Sequence, residues 1–197
     1  MIRAAAAAGL VWLAAVAGSA RTTVPGLDGH AATPYADGAP PGFSGAFGEQ
    51  SCHACHFDED VNAGQGHLAI EGLPERFEPE RAYRLTVVLE RPGMSAAGLQ
   101  LTARTESDGR QAGRFAVPPD EADRLKVEER DGVQYVNQQG AGSRVDPADR
   151  TRWTILWTAP ASDQPIRIAV AANAGNGDES ASGDYVFTAA RTVTPAR

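Results

Sequence analysis

Three residues in this chain can do chemistry together. Cys52 and Cys55 are its only two cysteines, they stand three positions apart, and His56 follows the second directly in Ser51-Cys52-His53-Ala54-Cys55-His56. Two thiols at this spacing can reach the two vinyl groups of one porphyrin, and an imidazole beside the second can bind the iron from the same side. On that reading Cys52 and Cys55 are covalent attachment points for one haem c, and His56 is the proximal iron ligand. The sixth iron position takes a further donor or stays open. His67, eleven residues past His56, is the first choice, and Met94, in the turn Arg91-Pro92-Gly93-Met94, is the alternative. A methionine there would raise the potential relative to a second histidine. His53 sits on the tether itself and His30 lies well upstream, so neither is favoured.

Other chemistries compete for the same residues. In an oxidising compartment Cys52 and Cys55 can close a disulfide, although so small a ring restrains the unfolded chain little and leaves His56 without a role. Zinc would find the right atom types in Cys52, His53, Cys55 and His56. Four ligands within five residues cannot readily surround a tetrahedral ion, however, and no second cysteine pair exists. A thioredoxin-like role lacks its βαβ setting. No nucleophile elbow, phosphate loop or dinucleotide fingerprint is present, so the sequence reveals no enzyme. Asn173, Asn176, Asp178, Glu179 and Asp184 offer oxygens to calcium, but their spacing is not that of an EF-hand, and turn formation accounts for them. Asp58, Glu59 and Asp60 beside the motif either form a solvated loop or steer a basic redox partner.

The elements that must position this motif begin with an export signal. Residues 1–20 combine Arg3, an apolar run over 4–17 and small residues ending at Ala20, the pattern of a secretory signal peptide. The run is shorter than the roughly 18–20 apolar residues of a membrane span. The expectation is an extracytoplasmic protein, periplasmic or secreted, with no membrane span in the mature chain. The formal net charge is −7, and removing residues 1–20 takes away Arg3 and no acid. A surface this acidic repels phosphate backbones, so nucleic acid is not an expected partner.

Residues 21–41, rich in Pro, Gly and Ala, read as a flexible leader, and residues 42–194 as one domain. Within it the apolar period is two. Tyr83, Leu85, Val87 and Leu89 share one face of a strand; Trp153, Ile155 and Trp157 share another; Ile166, Ile168 and Val170 a third. Weaker strands fall near 67–72, 98–105, 110–117, 133–138 and 184–192, separated by Arg-Pro-Gly, Ser-Asp-Gly and Arg-Asp-Gly turns. The stretch 118–129 is expected to form a helical turn. About eight short strands with hairpin-like breaks give an all-β, antiparallel β-sandwich. The cysteine motif belongs on a loop or short helical turn at its N-terminal edge.

Several separated blocks, among them Ser44-Gly-Ala-Phe-Gly-Glu-Gln-Ser-Cys-His-Ala-Cys-His-Phe57, Gly98-Leu-Gln-Leu-Thr-Ala-Arg-Thr105, Arg152-Trp-Thr-Ile-Leu-Trp-Thr158 and the glycine-rich run before Tyr185, occur in the order seen in the choice-of-anchor V family. The resemblance covers about residues 42–192. These proteins are bacterial relatives of the Reeler domain. The resemblance implies an Ig-like, Reeler-like sandwich and an extracytoplasmic location. Two departures stand out: Gln138 occupies a place where the family often has a histidine, and Ala96, Ala97 and Leu99 replace bulkier residues, leaving either room for a cofactor or a differently packed core. The functional expectation is an exported, c-type-haem-binding one-electron carrier. The alternative is a structural or adhesive module with Cys52 and Cys55 joined as a disulfide.

Overall fold

The computed structural model describes residue 35 and residues 37–196. The expected signal peptide, most of the expected leader and His30 lie outside the described residues. Among the described residues ten strands form two sheets. The four-stranded sheet runs β1 (His67–Glu71), β3 (Ala82–Glu90), β8 (Arg150–Thr158), β5 (Arg114–Ala116), and the six-stranded sheet runs β2 (Arg76–Phe77), β10 (Tyr185–Pro195), β9 (Ile166–Gly175), β4 (Ala96–Thr105), β7 (Val133–Gln138), β6 (Leu125–Arg130). Every pairing is antiparallel except the short β2 against the end of β10. The all-β sandwich expected from the alternating pattern is the fold observed.

The core lies between the sheets. In the β3–β8 ladder Val87 faces Trp153, Leu85 faces Ile155 and Tyr83 faces Trp157. Both indoles are fully buried, and an unpaired indole N–H there would be costly. Each has an acceptor: Trp153 donates to the Gly142 carbonyl at 2.8 Å and Trp157 to the Ala112 carbonyl at 3.0 Å.

In β4 both faces are buried. Leu99, Leu101 and Ala103 enter the core, while Gln100, Thr102 and Arg104 are also shielded. Residues 39–49 cover two of those polar side chains. The Gln100 amide donates to the Pro40 carbonyl at 3.0 Å, and its oxygen accepts the Gly42 N–H at 2.8 Å. Arg104 donates to Glu49, which also accepts from Tyr135 at 2.5 Å and from Ser44 at 2.6 Å. A strap of chain leading to the cysteine motif is thus fastened to the outer face of the larger sheet.

One local expectation is corrected, and one short strand lay outside those expected. Leu125–Arg130 forms strand β6 where a helical turn over 118–129 was expected, and only Pro119–Glu121 forms a 3-10 turn. The reason is the next turn: Asp131 and Gly132 both take positive φ, the conformation of a two-residue hairpin, and this returns the chain antiparallel as β7. Strand β2 has two residues, too few to show any period.

Burial pushes the Glu49 carboxyl up, but hydrogen bonds from Ser44, Tyr135 and Arg104 outweigh it and hold the group below the usual carboxylate range. Such a group contributes stability that is fully present above its unfolded-state value of about 4.3 and is lost as pH falls through the lower folded-state value. Glu49→Gln should therefore be less stable than the native chain at neutral pH, by up to about 3 kcal/mol because Arg104 loses its counter-charge. The gap should close as the pH drops below about 4, which urea denaturation across pH 3–7 measures.

Candidate functional site

The motif is a tight turn. Ser51 caps it, its hydroxyl accepting the His53 N–H at 3.3 Å, and Cys52–Ala54 form a single 3-10 turn. The Cys52 carbonyl then accepts both the Cys55 N–H at 3.1 Å and the His56 N–H at 3.0 Å. This puts the two thiols and the imidazole on one short rigid piece of backbone, as their spacing suggests. Both cysteines are free, Cys52 half-buried and Cys55 exposed. Burial pushes the Cys52 thiol up to about 12, so it stays protonated at neutral pH and is a poor thiolate for disulfide exchange or zinc. Among the described residues no group of three or more His, Cys, Asp or Glu side chains gathers to hold a metal ion.

Beyond the turn, the chain is pinned along β10. The Asn62 N–H donates to the Val186 carbonyl at 2.8 Å, and the Asn62 side chain accepts the Thr188 N–H at 2.9 Å. These bonds satisfy backbone groups at a sheet edge that β2 does not reach. Asp58, expected in a solvated or steering role, accepts the Gly183 N–H at 2.8 Å, whereas Glu59 and Asp60 are exposed. Phe57 is 66 % exposed and Val61 36 %.

His56 is held from behind. Its Nδ1 lies 2.7 Å from Asp184 Oδ2 and 3.4 Å from the Asn173 amide nitrogen. Asp184, only 3 % exposed, also accepts the Asn173 amide at 2.9 Å and the Asn176 N–H at 3.0 Å. Burial raises the Asp184 carboxyl, but hydrogen bonds from His56, Asn173 and Asn176 outweigh it and keep the group ionised below the usual range. Among the described residues no hydrogen bond engages His56 Nε2, and the side chain is partly exposed.

In the sequence Asp184 and Asn173 read only as turn or calcium residues. Their service to His56 comes from the far end of the chain, and nothing local to either residue signals it. The oxygens of that loop are used internally as well: Asn176 accepts the Asp178 N–H, and Asp178 accepts the Ser180 N–H.

The two suggested sixth ligands are placed differently. His67 is exposed at the start of β1, opposite Glu90 in the four-stranded sheet. Met94 is 3 % exposed within the hydrophobic core, where an adaptable thioether fills space. The structure brings neither to His56 by a hydrogen bond or shared partner among the described residues. Ala97 and Leu99 pack in the core too, so the smaller residues there make a repacked interior. Gln138 accepts the Leu99 N–H at 2.8 Å. Its amide lies against Gly98, where a Cβ would approach it to 3.0 Å.

No family model matches the chain, and no curated protein matches it. Among solved structures, it is similar to the human F-spondin Reeler domain, with 16 % identity over 70 % of this chain and 93 % of that one, at a TM-score of 0.46. The Reelin-N domain of F-spondin is similar at 19 % identity, over 71 % and 92 % of the two chains, with a TM-score of 0.45. A cohesin module from a Clostridium perfringens family 33 glycoside hydrolase is similar at 12 % identity, 66 % and 96 % coverage, and 0.44. At these values the likeness is one of outline, and the sandwich rests on the strand ladders themselves. No helix of the described residues is long and apolar enough to cross a membrane.

If Met94 only packs, Met94→Leu, which conserves volume, should change stability by less than about 1.5 kcal/mol. Met94→Ala should cost about 2–5 kcal/mol, both read by chemical denaturation.

Proposed function

We propose that the chain is an extracytoplasmic β-sandwich module that carries one covalently attached haem c at the Cys52–His56 turn and passes single electrons to a partner protein. The observation that carries this reading is the turn itself: two free thiols and an imidazole held on and directly after one 3-10 turn, with Phe57 and Val61 exposed further along the chain. These residues fit the group. Cys52 and Cys55 would each add across a vinyl bond, sulfur to one carbon and the thiol hydrogen to its neighbour, which needs no oxidant. His56 would offer Nε2 to the iron, and the apolar side chains would cover porphyrin surface. Bound there, haem supplies a centre that cycles between ferric and ferrous states. The strap and the Asn62 bonds hold the turn still against the sheet. The exposed Glu59 and Asp60 place negative charge beside it, which favours a basic partner and weakens with salt. Export, through the signal-like residues 1–20, supplies the compartment in which such haem is attached.

A second reading is an extracytoplasmic structural or adhesive module without haem, its two cysteines oxidised together. It is in keeping with an open concavity of about 950 Å³ lined by Arg76, Pro79, Asp163, Pro165 and Thr194, which includes no residue of the cysteine turn.

One measurement separates the two. Intact mass of the exported protein, made in a host with cytochrome c maturation machinery, should exceed the processed polypeptide by one haem and should fall to the bare chain in Cys52→Ala/Cys55→Ala. A chain that is colourless, and that gains two hydrogens on reduction, overturns the haem reading in favour of the disulfide.

A further inference from the structure

Which nitrogen His56 presents is decided by residues on the opposite side of the ring. We infer that Asp184, backed by Asn173, is a positioning residue that fixes His56 with the proton on Nδ1 and Nε2 bare and outward. This inference deepens the haem reading and rests on it for its redox consequence, though the tautomer itself is a property of the chain alone.

The geometry leaves little choice. Asp184 Oδ2 can only accept, and it lies 2.7 Å from His56 Nδ1, so Nδ1 must be the donor. The carboxylate cannot turn away, because Oδ1 is held by the Asn176 N–H and Oδ2 by the Asn173 amide. Asn173 is fixed in β9 and Asp184 immediately precedes β10, paired strands of the larger sheet, so the receptor for the ring is built on rigid backbone. A histidine ligand donating its second nitrogen to a carboxylate is oriented by it and made more electron-rich, which favours the more oxidised metal.

The same network predicts its own rewiring. With asparagine at 184, the amide oxygen belongs opposite the Asn176 N–H, and the NH₂ then faces His56 Nδ1. That donor is satisfied only if Nδ1 becomes an acceptor, which moves the ring proton to Nε2. Asn173 can adjust, since its buried Oδ1 has no partner among the described residues and can accept after a flip of its amide. Asp184→Asn is thus expected to invert the tautomer while keeping the fold, and Asp184→Glu, which keeps the carboxylate, to retain it.

The test uses the haem-free chain first. Long-range ¹H–¹⁵N NMR of the His56 ring at about pH 9, where imidazoles as a class are neutral, should show the proton on Nδ1 in the native chain and on Nε2 in Asp184→Asn. A native ring protonated on Nε2, or an Asp184→Asn ring unchanged from native, overturns the inference. If Asp184→Asn does not fold, the native spectrum alone decides. In the haem-loaded protein, Asp184→Asn should shift the midpoint potential upward and Asp184→Glu should restore it; a potential unmoved in a folded Asp184→Asn variant counts against the inference. Failure of the native chain to take up haem at all removes the proposed function but leaves the tautomer result standing.

Discussion

A carboxylate buried to the extent of Asp184 survives as an ion only where donors converge on it, and here they come from three separate parts of the chain. Asn173 belongs to strand β9, the Asn176 N–H to the loop after it, and His56 to the cysteine turn. None of these segments can relocate without stranding a buried charge. An electrostatic requirement at the end of the larger sheet thus helps to set the position of the cysteine turn on the sandwich. The turn is locally stiff through its own backbone hydrogen bonds, and His56 is one of the points that tie it to the sheet.

A second buried charge pair secures the chain just before the turn. Glu49 meets Arg104 and Tyr135 on the outer face of the six-stranded sheet, and Arg104 also stacks over Phe47. The two fastenings lie on either side of Cys52 in sequence. Between them the backbone has little freedom, while Cys55, Phe57 and Val61 remain toward solvent.

The parts legible in the sequence were those whose physics is local. Alternation in β3 and β8 announced itself because one face of each strand meets the core, and the cysteine spacing announced the turn. Strand β4 was weaker to the eye because Gln100, Thr102 and Arg104 are buried on its second face, under the strap, so its pattern is not simply apolar on one side and exposed on the other. Strand β6 hid behind charged residues at a sheet edge, whereas β7 and the Arg130-Asp131-Gly132 turn before it were legible. What could not be read was the partnership of His56 with Asp184 and Asn173. It depends on the register of β9 against β10, which brings Asn173 opposite Val186 and leaves Asp184 just beyond the ladder. No composition or spacing rule encodes that meeting.

The grip of Gln100 on the strap limits how this chain can change its length. Pro40 and Gly42 are clasped at one end, and Glu49 is clasped at the other. Between them Gly45 turns at φ +74 with Thr188 so close that a Cβ would come within 2.8 Å of it. An insertion at Gly45 would have to displace the chain from Thr188. Related chains that keep both clasps should hold this interval constant and confine their variation in length to residues before Ala39.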